Sequence, residues 1–298
     1  MVVAHSLQTA VEALRRNPVI AGITVLLALF QLPLQFVPLA APSTTIIASA
    51  VSLVATVLVL PFIFGGIFGM ADEALDGTTN FGTFVEMGKR HYTSMLGAYL
   101  LLLGGSIVFG TIAWVVVGIG TLVAIIPVFD SPQALFPVLL LIMVVGSVLF
   151  LLLFLIPFIF IQFYGQAIVF DDEGAFSSFF RSVSIVRQNF WPVVGYSVVV
   201  FGISLVFGFF GSLPASTLSS QLSPSATNTL LSEVLSEVLS GVPQISIVAS
   251  AALTLFATIL MGLSAGLLLT FSVAFYRSLA TSDNADDAND AAVRGTSA

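Results

Sequence analysis

The chain has 298 residues, 58% of them hydrophobic and only 8% charged, where soluble domains carry about 25% charged residues, and its mean hydropathy is +1.11. Acidic residues outnumber basic ones by 15 to 8, which leaves no dense cationic surface to neutralise phosphates and sets nucleic acid aside as a partner. With no cysteine and only two histidines, His5 and His91, disulfides, thiolate metal sites, cysteine nucleophiles and a histidine metal centre are excluded, and neither a metal nor a cofactor is expected.

A bilayer core about 30 Å thick takes roughly 20 apolar residues in a helix, because only a helix or a closed barrel satisfies its own backbone hydrogen bonds there. The apolar runs of this chain therefore predict an all-α fold, a polytopic membrane helical bundle. The chain opens on an amphipathic segment, 3–16, with Val3, Leu7, Ala10, Val11 and Leu14 on one face and Gln8, Glu12, Arg15 and Arg16 mainly on the other. Runs 19–40 and 45–71 follow, joined by Ala41-Pro42-Ser43-Thr44, short enough to force an antiparallel hairpin. The first run is too long for a signal-peptide core, and Pro42 follows the one plausible small-residue cut site, so it reads as a span. Arg15-Arg16 lacks the flanking residues of a twin-arginine signal.

After the stop at Asp76-Gly77, Thr79 or Asn80 is placed to cap a second amphipathic segment, 80–92. There Phe81, Phe84, Val85, Gly88 and Tyr92 oppose Glu86, Lys89 and Arg90. Runs 93–129 and 134–170 flank Asp130-Ser131-Pro132, and both exceed one crossing; Gly118, Gly120 and Pro127 leave open a bend, an early end or a re-entrant piece over 118–128. Asp172 is placed to cap the third amphipathic segment, 173–190, where Phe176, Phe179, Phe180, Val183 and Phe190 line one face and Arg181 and Arg187 lie to one side. Runs 191–213 and 245–276 complete six predicted spans. Between the last two, 228–240 reads as an external amphipathic helix with a stripe of Leu231, Val234, Leu235 and Val238 and a stop at Gly241. Residues 281–298 read as an acidic, disordered cytoplasmic tail.

Basic residues near span ends stay on the cytoplasmic side. With six spans, Arg15, Arg16, Lys89, Arg90, Arg181, Arg187, Arg277 and Arg294 all fall on one face and none on the other. Adding or removing one span would break that division, so the expected location is the cell membrane, multi-pass, with both termini cytoplasmic.

An internal repeat organises the spans. Pro61-Phe62-Ile63-Phe64 recurs as Pro157-Phe158-Ile159-Phe160, and at the same offset Gly69 meets Gly165 and Ala71 meets Ala167; Phe163-Tyr164 returns as Phe275-Tyr276. Each hairpin is led by a basic amphipathic segment, so the expected unit is one interfacial helix followed by two spans. Such helices would lie in the headgroup plane, sinking their apolar faces and holding lipid phosphate with Arg15, Arg16, Lys89, Arg90, Arg181 and Arg187. Simple anchoring on the bundle and specific lipid or partner docking are both open.

No Asp, Glu, Lys, Arg or His lies in the centre of a predicted span, which disfavours a proton- or sodium-driven carrier. Gln31 with Gln35 and Gln162 with Gln166 are pairs four apart, suited to hydrogen-bonded helix contacts or to lining a neutral path. Gly65-x-x-x-Gly69 and Gly262-x-x-x-Gly266 fit close helix packing. The acidic clusters Asp72, Glu73, Asp76 and Asp171, Asp172, Glu173 read as solvated helix ends, without a partnering nucleophile or base. His91, beside Lys89-Arg90, reads as a headgroup-level neighbour of phosphate.

Three stretches carry a family resemblance: Ala13-Leu14-Arg15-Arg16-Asn17-Pro18, the run from Gly65-Gly66 through Gly69-Met70-Ala71-Asp72-Glu73-Ala74-Leu75-Asp76-Gly77, and Gln162-Phe163-Tyr164-Gly165-Gln166-Ala167-Ile168-Val169-Phe170-Asp171-Asp172. Up to about residue 280 the chain resembles a haloarchaeal family of uncharacterised six-span proteins, itself more distantly similar to the membrane domain attached to glycerophosphodiester phosphodiesterases. The acidic, lysine-poor tail and loops agree with a halophilic archaeon. The resemblance implies no activity and no catalytic residue, and it places lipid-associated roles slightly ahead. The expected function is a non-enzymatic membrane protein that organises or anchors through lipid or partner contacts. The alternatives are a facilitator of a small neutral or lipidic solute and, below it, a lipid-modifying enzyme. A second copy or an unknown membrane protein is left open as partner.

Overall fold

The computed structural model describes residues 2–40, 45–125, 135–222 and 246–295, and every regular element among them is helical. The external helix expected at 228–240 lies outside the described residues. In chain order the helices are α1 (Val2–Arg16), α2 (Pro18–Ala40), α3 (Thr45–Asp76), α4 (Phe81–Arg90), α5 (Tyr92–Ile125), α6 (Leu135–Ile161), α7 (Tyr164–Phe170), α8 (Ser177–Gln188), α9 (Phe190–Leu222) and α10 (Ile247–Gly295). Four described segments are long and apolar enough to cross a membrane: Ala50–Asp76, Tyr92–Gly120, Phe190–Gly211 and Ile247–Ala280. A fifth is counted if the bent pair Val2–Arg16 and Pro18–Leu32 is one span.

Two boundaries differ from expectation. α5 runs through Gly118 and Gly120 without a break and is described as far as Ile125, so the bend left open over 118–128 is absent from its described part. α10 continues through the acidic segment to Gly295, in place of the expected disordered tail. Between Thr281 and Val293 that segment holds no glycine and no proline, and its alanines favour the helix.

The chain divides into two compact units, Met1–Arg90 with Val194–Ala298, and His91–Val193. In the first, α1 meets α2 at a bend of 88°. Pro18 explains the corner, because a proline disfavours helical geometry in the residue before it and suits the first turn of the next helix. α2 packs on α10 and α3. At the α2–α10 crossing a Cβ added to Gly262 would lie 2.5 Å from Val25 Cα, and one added to Gly266 2.8 Å from Thr24 Oγ1. This is the close packing expected of that glycine pair.

α4 folds back on α3 just as tightly. A Cβ on Gly66 would sit 2.6 Å from the Phe84 carbonyl oxygen, one on Gly69 2.5 Å from Met87 Cβ, and one on Gly88 2.8 Å from the Phe62 carbonyl oxygen. Phe62 and Phe84 meet edge to face at 5.5 Å. The second approach therefore uses Gly66, Gly69 and Gly88 on two helices. Asn80 caps α4, its Oδ1 accepting from Gly82 N–H at 2.7 Å and Thr83 N–H at 3.3 Å, which selects it over Thr79. α1 lies along α10, with Ser6 Oγ 3.3 Å from Ser278 Oγ, and Ala13 joins Ile20, Ile67 and Met70 in the buried cluster with α2 and α3. Tyr196 of α9 stacks on Phe275 of α10 at 4.5 Å.

In the second unit, Pro157 removes a backbone donor inside α6, and the helix stops at Ile161 before α7 resumes at Tyr164. Ser182 of α8, fully buried, closes that break: its hydroxyl donates to the Phe160 carbonyl at 2.8 Å and accepts from the Phe163 N–H at 3.1 Å. One side chain thus satisfies two backbone groups that the broken helix leaves open.

These contacts revise the repeat. α4 packs on α3, α8 on α6 and α7, and α1 on α10. α4 and α8 therefore rest on helices that precede them in the chain, rather than leading the helices that follow, and α1 rests on the last helix.

Candidate functional site

α1, α4 and α8 carry the expected site residues. Arg15 and Arg16 close α1, Lys89 and Arg90 close α4, and Arg187 closes α8, where cations offset the negative end of the helix dipole. Arg16 also pairs with Glu12 at 3.0 Å. Arg181 differs from the others, since its Nε donates to Asp171 Oδ2 at 2.8 Å and both side chains are partly buried.

α1 buries Ser6, Ala10 and Ala13, α4 buries Phe84 and Gly88, and α8 buries Ser178 and Ser182 together with Ile185 and Val186. Other large aromatics beside them point outward. Phe176 is 66% exposed, Phe180 63% and Trp191 79%, and Phe81 of α4 is exposed as well. In water such a face would be costly; in a bilayer it is the face that contacts lipid.

The acidic clusters are engaged by cations and hydroxyls. Arg277 joins Asp72, Nε to Oδ1 at 3.4 Å, and Asp76, Nη2 to Oδ2 at 2.9 Å, while Thr79 donates to Glu73 at 2.7 Å. His91 is buried, 5% exposed, with Nε2 3.2 Å from Asp172 Oδ1, so it does not face the headgroup layer as expected. Asp172 does not cap α8 either. It adopts the left-handed backbone at φ 52°, a conformation Asp tolerates better than most residues, and this turn ends α7 while aiming its carboxylate at His91. The residue preceding α8 is Phe176, which makes no side-chain cap. Among the described residues no group of three or more His, Asp and Glu is placed to hold a metal ion.

The glutamines are separate features. Gln31 is exposed on α2, and the side chain of Gln35 lies outside the described residues. Gln162 sits at the break between α6 and α7 and is half-buried, whereas Gln166 lies inside α7 and is 3% exposed. The break separates Gln162 from Gln166, so the shared helix face expected from their spacing is not formed.

Two features were not anticipated. The first is a pair of buried corner residues. Asn17, between α1 and α2, donates through Nδ2 to the Ala13 and Gly77 carbonyls, each at 3.0 Å, and accepts the Thr79 N–H at 2.8 Å. His91, between α4 and α5, likewise reaches the turn that follows α7. The sequence signal was available as Arg15-Arg16-Asn17-Pro18, Lys89-Arg90-His91-Tyr92 and Arg187-Gln188-Asn189-Phe190, a polar residue after a basic one at each helix-to-helix corner. The second is an open cleft of about 650 Å³ within His91–Val193, walled by α5, the Pro157 kink of α6 and the aromatic face of α8.

The profile of a family described as a domain of unknown function (DUF7847) matches residues 1–279. The chain belongs to this family. The match to DUF7847 ends at Leu279, the last buried side chain described in α10, so it reaches into all ten described helices. No curated protein and no solved structure matches the chain.

Proposed function

We propose that this DUF7847 protein is a non-enzymatic membrane protein of six spans, as three hairpins, with both termini in the cytoplasm, which organises or anchors at the cell membrane by holding lipid at its cytoplasmic headgroup layer. The observation that carries the reading is the outward aromatic face of α8. This helix docks through Ser178, Ser182, Ile185 and Val186 and leaves Phe176 and Phe180, in line with Arg187, exposed, while α1 docks through Ser6, Ala10 and Ala13 and leaves Arg15 and Arg16 exposed. A soluble protein buries the opposite face. The one-sided distribution of the basic residues supports the orientation, and the more distant resemblance to the membrane domain attached to glycerophosphodiester phosphodiesterases puts lipid slightly ahead of other partners. The engagement of Asp72, Asp76 and Asp171 by arginines weakens the reading as a lipid-modifying enzyme.

Two measurements test it. A reporter active only outside the cell, fused after Ala298, stays silent; a signal there overturns the orientation. The whole chain, reconstituted in discs of mixed neutral and anionic lipid and analysed by native mass spectrometry, retains anionic lipid above its bulk share. Replacing Arg15, Arg16, Lys89 and Arg90 together by glutamine abolishes that enrichment. Equal enrichment in the variant overturns the reading.

A further inference from the structure

The cleft between α5, α6 and α8 has a shape and chemistry that select an occupant. Its walls are almost wholly apolar: Leu102 and Phe109 of α5, Pro157 and Phe158 of α6, and Phe176 and Phe180 of α8. At about 650 Å³ it falls within the range of small-ligand sites. A slender apolar chain fits.

Two structural causes keep the cleft open. Gly105 lies in its wall on α5, and a Cβ there would meet nothing within 4 Å. On the other side α6, which carries Pro157, stops at Ile161, and the Ser182 hydroxyl fixes α8 to that break, which sets where α8 presents its phenylalanines. One end of the cleft also has a cation in register. Arg187 follows Phe176 by eleven residues and Phe180 by seven, so all three share one exposed face of α8, with Arg187 roughly 10 Å beyond Phe180. Charge and shape together match a molecule with an anionic head and a long apolar tail.

We infer that the cleft between α5, α6 and α8 is a binding site for one hydrocarbon chain of an anionic membrane lipid, whose headgroup lies at Arg187. This deepens the lipid reading and rests on it. The site takes its lipid from the bilayer, and it would distinguish this lipid from the surrounding annulus by aromatic contact along the chain.

The test uses the full chain in discs containing an anionic lipid with a photoreactive group midway along its tail. Labelling concentrates on peptides carrying Phe158 and Phe176–Phe180. Gly105→Leu fills the cleft into open space, and in it labelling of those peptides falls to the level of the bulk lipid-facing surface. Gly118→Leu, also in open space on α5 but outside the cleft lining, leaves it unchanged. Arg187→Gln keeps the labelling with a neutral photoreactive lipid and removes the preference for the anionic one. Undiminished labelling in Gly105→Leu with unaltered thermal unfolding overturns the inference. If the enrichment that depends on Arg15, Arg16, Lys89 and Arg90 persists in that case, the cleft fails while the broader lipid reading stands. Labelling confined to the cleft without that enrichment supports the cleft and overturns the broader reading.

Discussion

Asn17→Ala is expected to lower the stability of the unit built from α1 to α4 and α10 by about 3 kcal/mol, read as a fall in the thermal midpoint of the full chain in lipid discs. The side chain is 2% exposed and joins three backbone groups across the turn from Gly77 to Thr79. Ala13 O already accepts the Asn17 backbone N–H at 3.0 Å, so truncation leaves the Gly77 carbonyl and the Thr79 N–H as the exposed losses. A buried backbone group deprived of its partner costs about 1–3 kcal/mol, which sets the total. Asn17→Asp discriminates the cause. It retains an acceptor for Thr79 but faces two carbonyl oxygens with a carboxylate that donates nothing, so it is expected to be at least as destabilising as alanine. An aspartate variant as stable as the parent would show that the corner is held by packing alone. Protease cleavage at the turn from Gly77 to Asn80 should rise in both variants, because that turn is what the amide holds.

The prominence of Asn17 also shows where the amino-acid sequence stops being informative. Long apolar runs announce α3, α5, α9 and α10 without ambiguity, because roughly 20 apolar residues have no other solution. The amphipathic helices α1, α4 and α8 were equally legible as helices, but which face each would bury was not. In α1 the expected apolar face was Val3, Leu7, Ala10, Val11 and Leu14, yet of these only Ala10 is fully buried, beside Ser6 and Ala13, and the larger four are half-buried. In lipid, burying a large apolar side chain against a neighbour gains little over leaving it in the hydrocarbon, so close approach by small residues decides helix contacts. A 3.6-residue period therefore marks the lipid-facing stripe as readily as the packed one.

The same physics hid the cleft and the corners. Ser182 in an amphipathic helix looks like a polar-face residue, and only the gap between Ile161 and Tyr164 shows that its hydroxyl completes another helix. Nothing in spacing connects His91 to Asp172, 81 positions apart. The cationic residues were legible because charge near a span end has few other meanings. Their division into two kinds was not: Arg181 holds the carboxylate that follows α7 and Arg277 the two in the last turns of α3, whereas Arg187 closes α8 on its exposed aromatic face.

Glycine offers the second large expected effect, and its sign depends on position. At Gly262 an added methyl would lie 2.5 Å from Val25 Cα and 3.0 Å from the Thr24 carbonyl oxygen. Both are backbone atoms of α2, so no side-chain rotation relieves the overlap and the two helices must separate. Gly262→Ala is therefore expected to cost about 1–3 kcal/mol, in the range of overpacked cores, and Gly262→Leu more. At Gly118 a methyl would meet nothing within 4 Å, and α5 is a regular helix there. Gly118→Ala is expected to stabilise by about 0.5–1 kcal/mol, the usual difference in backbone entropy within a helix. Thermal unfolding of both variants in the same lipid discs decides the matter, with the midpoint falling for Gly262→Ala and rising slightly for Gly118→Ala. Two shifts of the same sign would mean that intrinsic helix propensity outweighs the α2–α10 contact, and the close crossing of those helices would lose its place as the centre of the first unit. Gly69→Ala extends the contrast to α3 and α4. Its added methyl would lie 2.5 Å from Met87 Cβ, an atom that no side-chain rotation moves, so its cost should be close to that of Gly262→Ala.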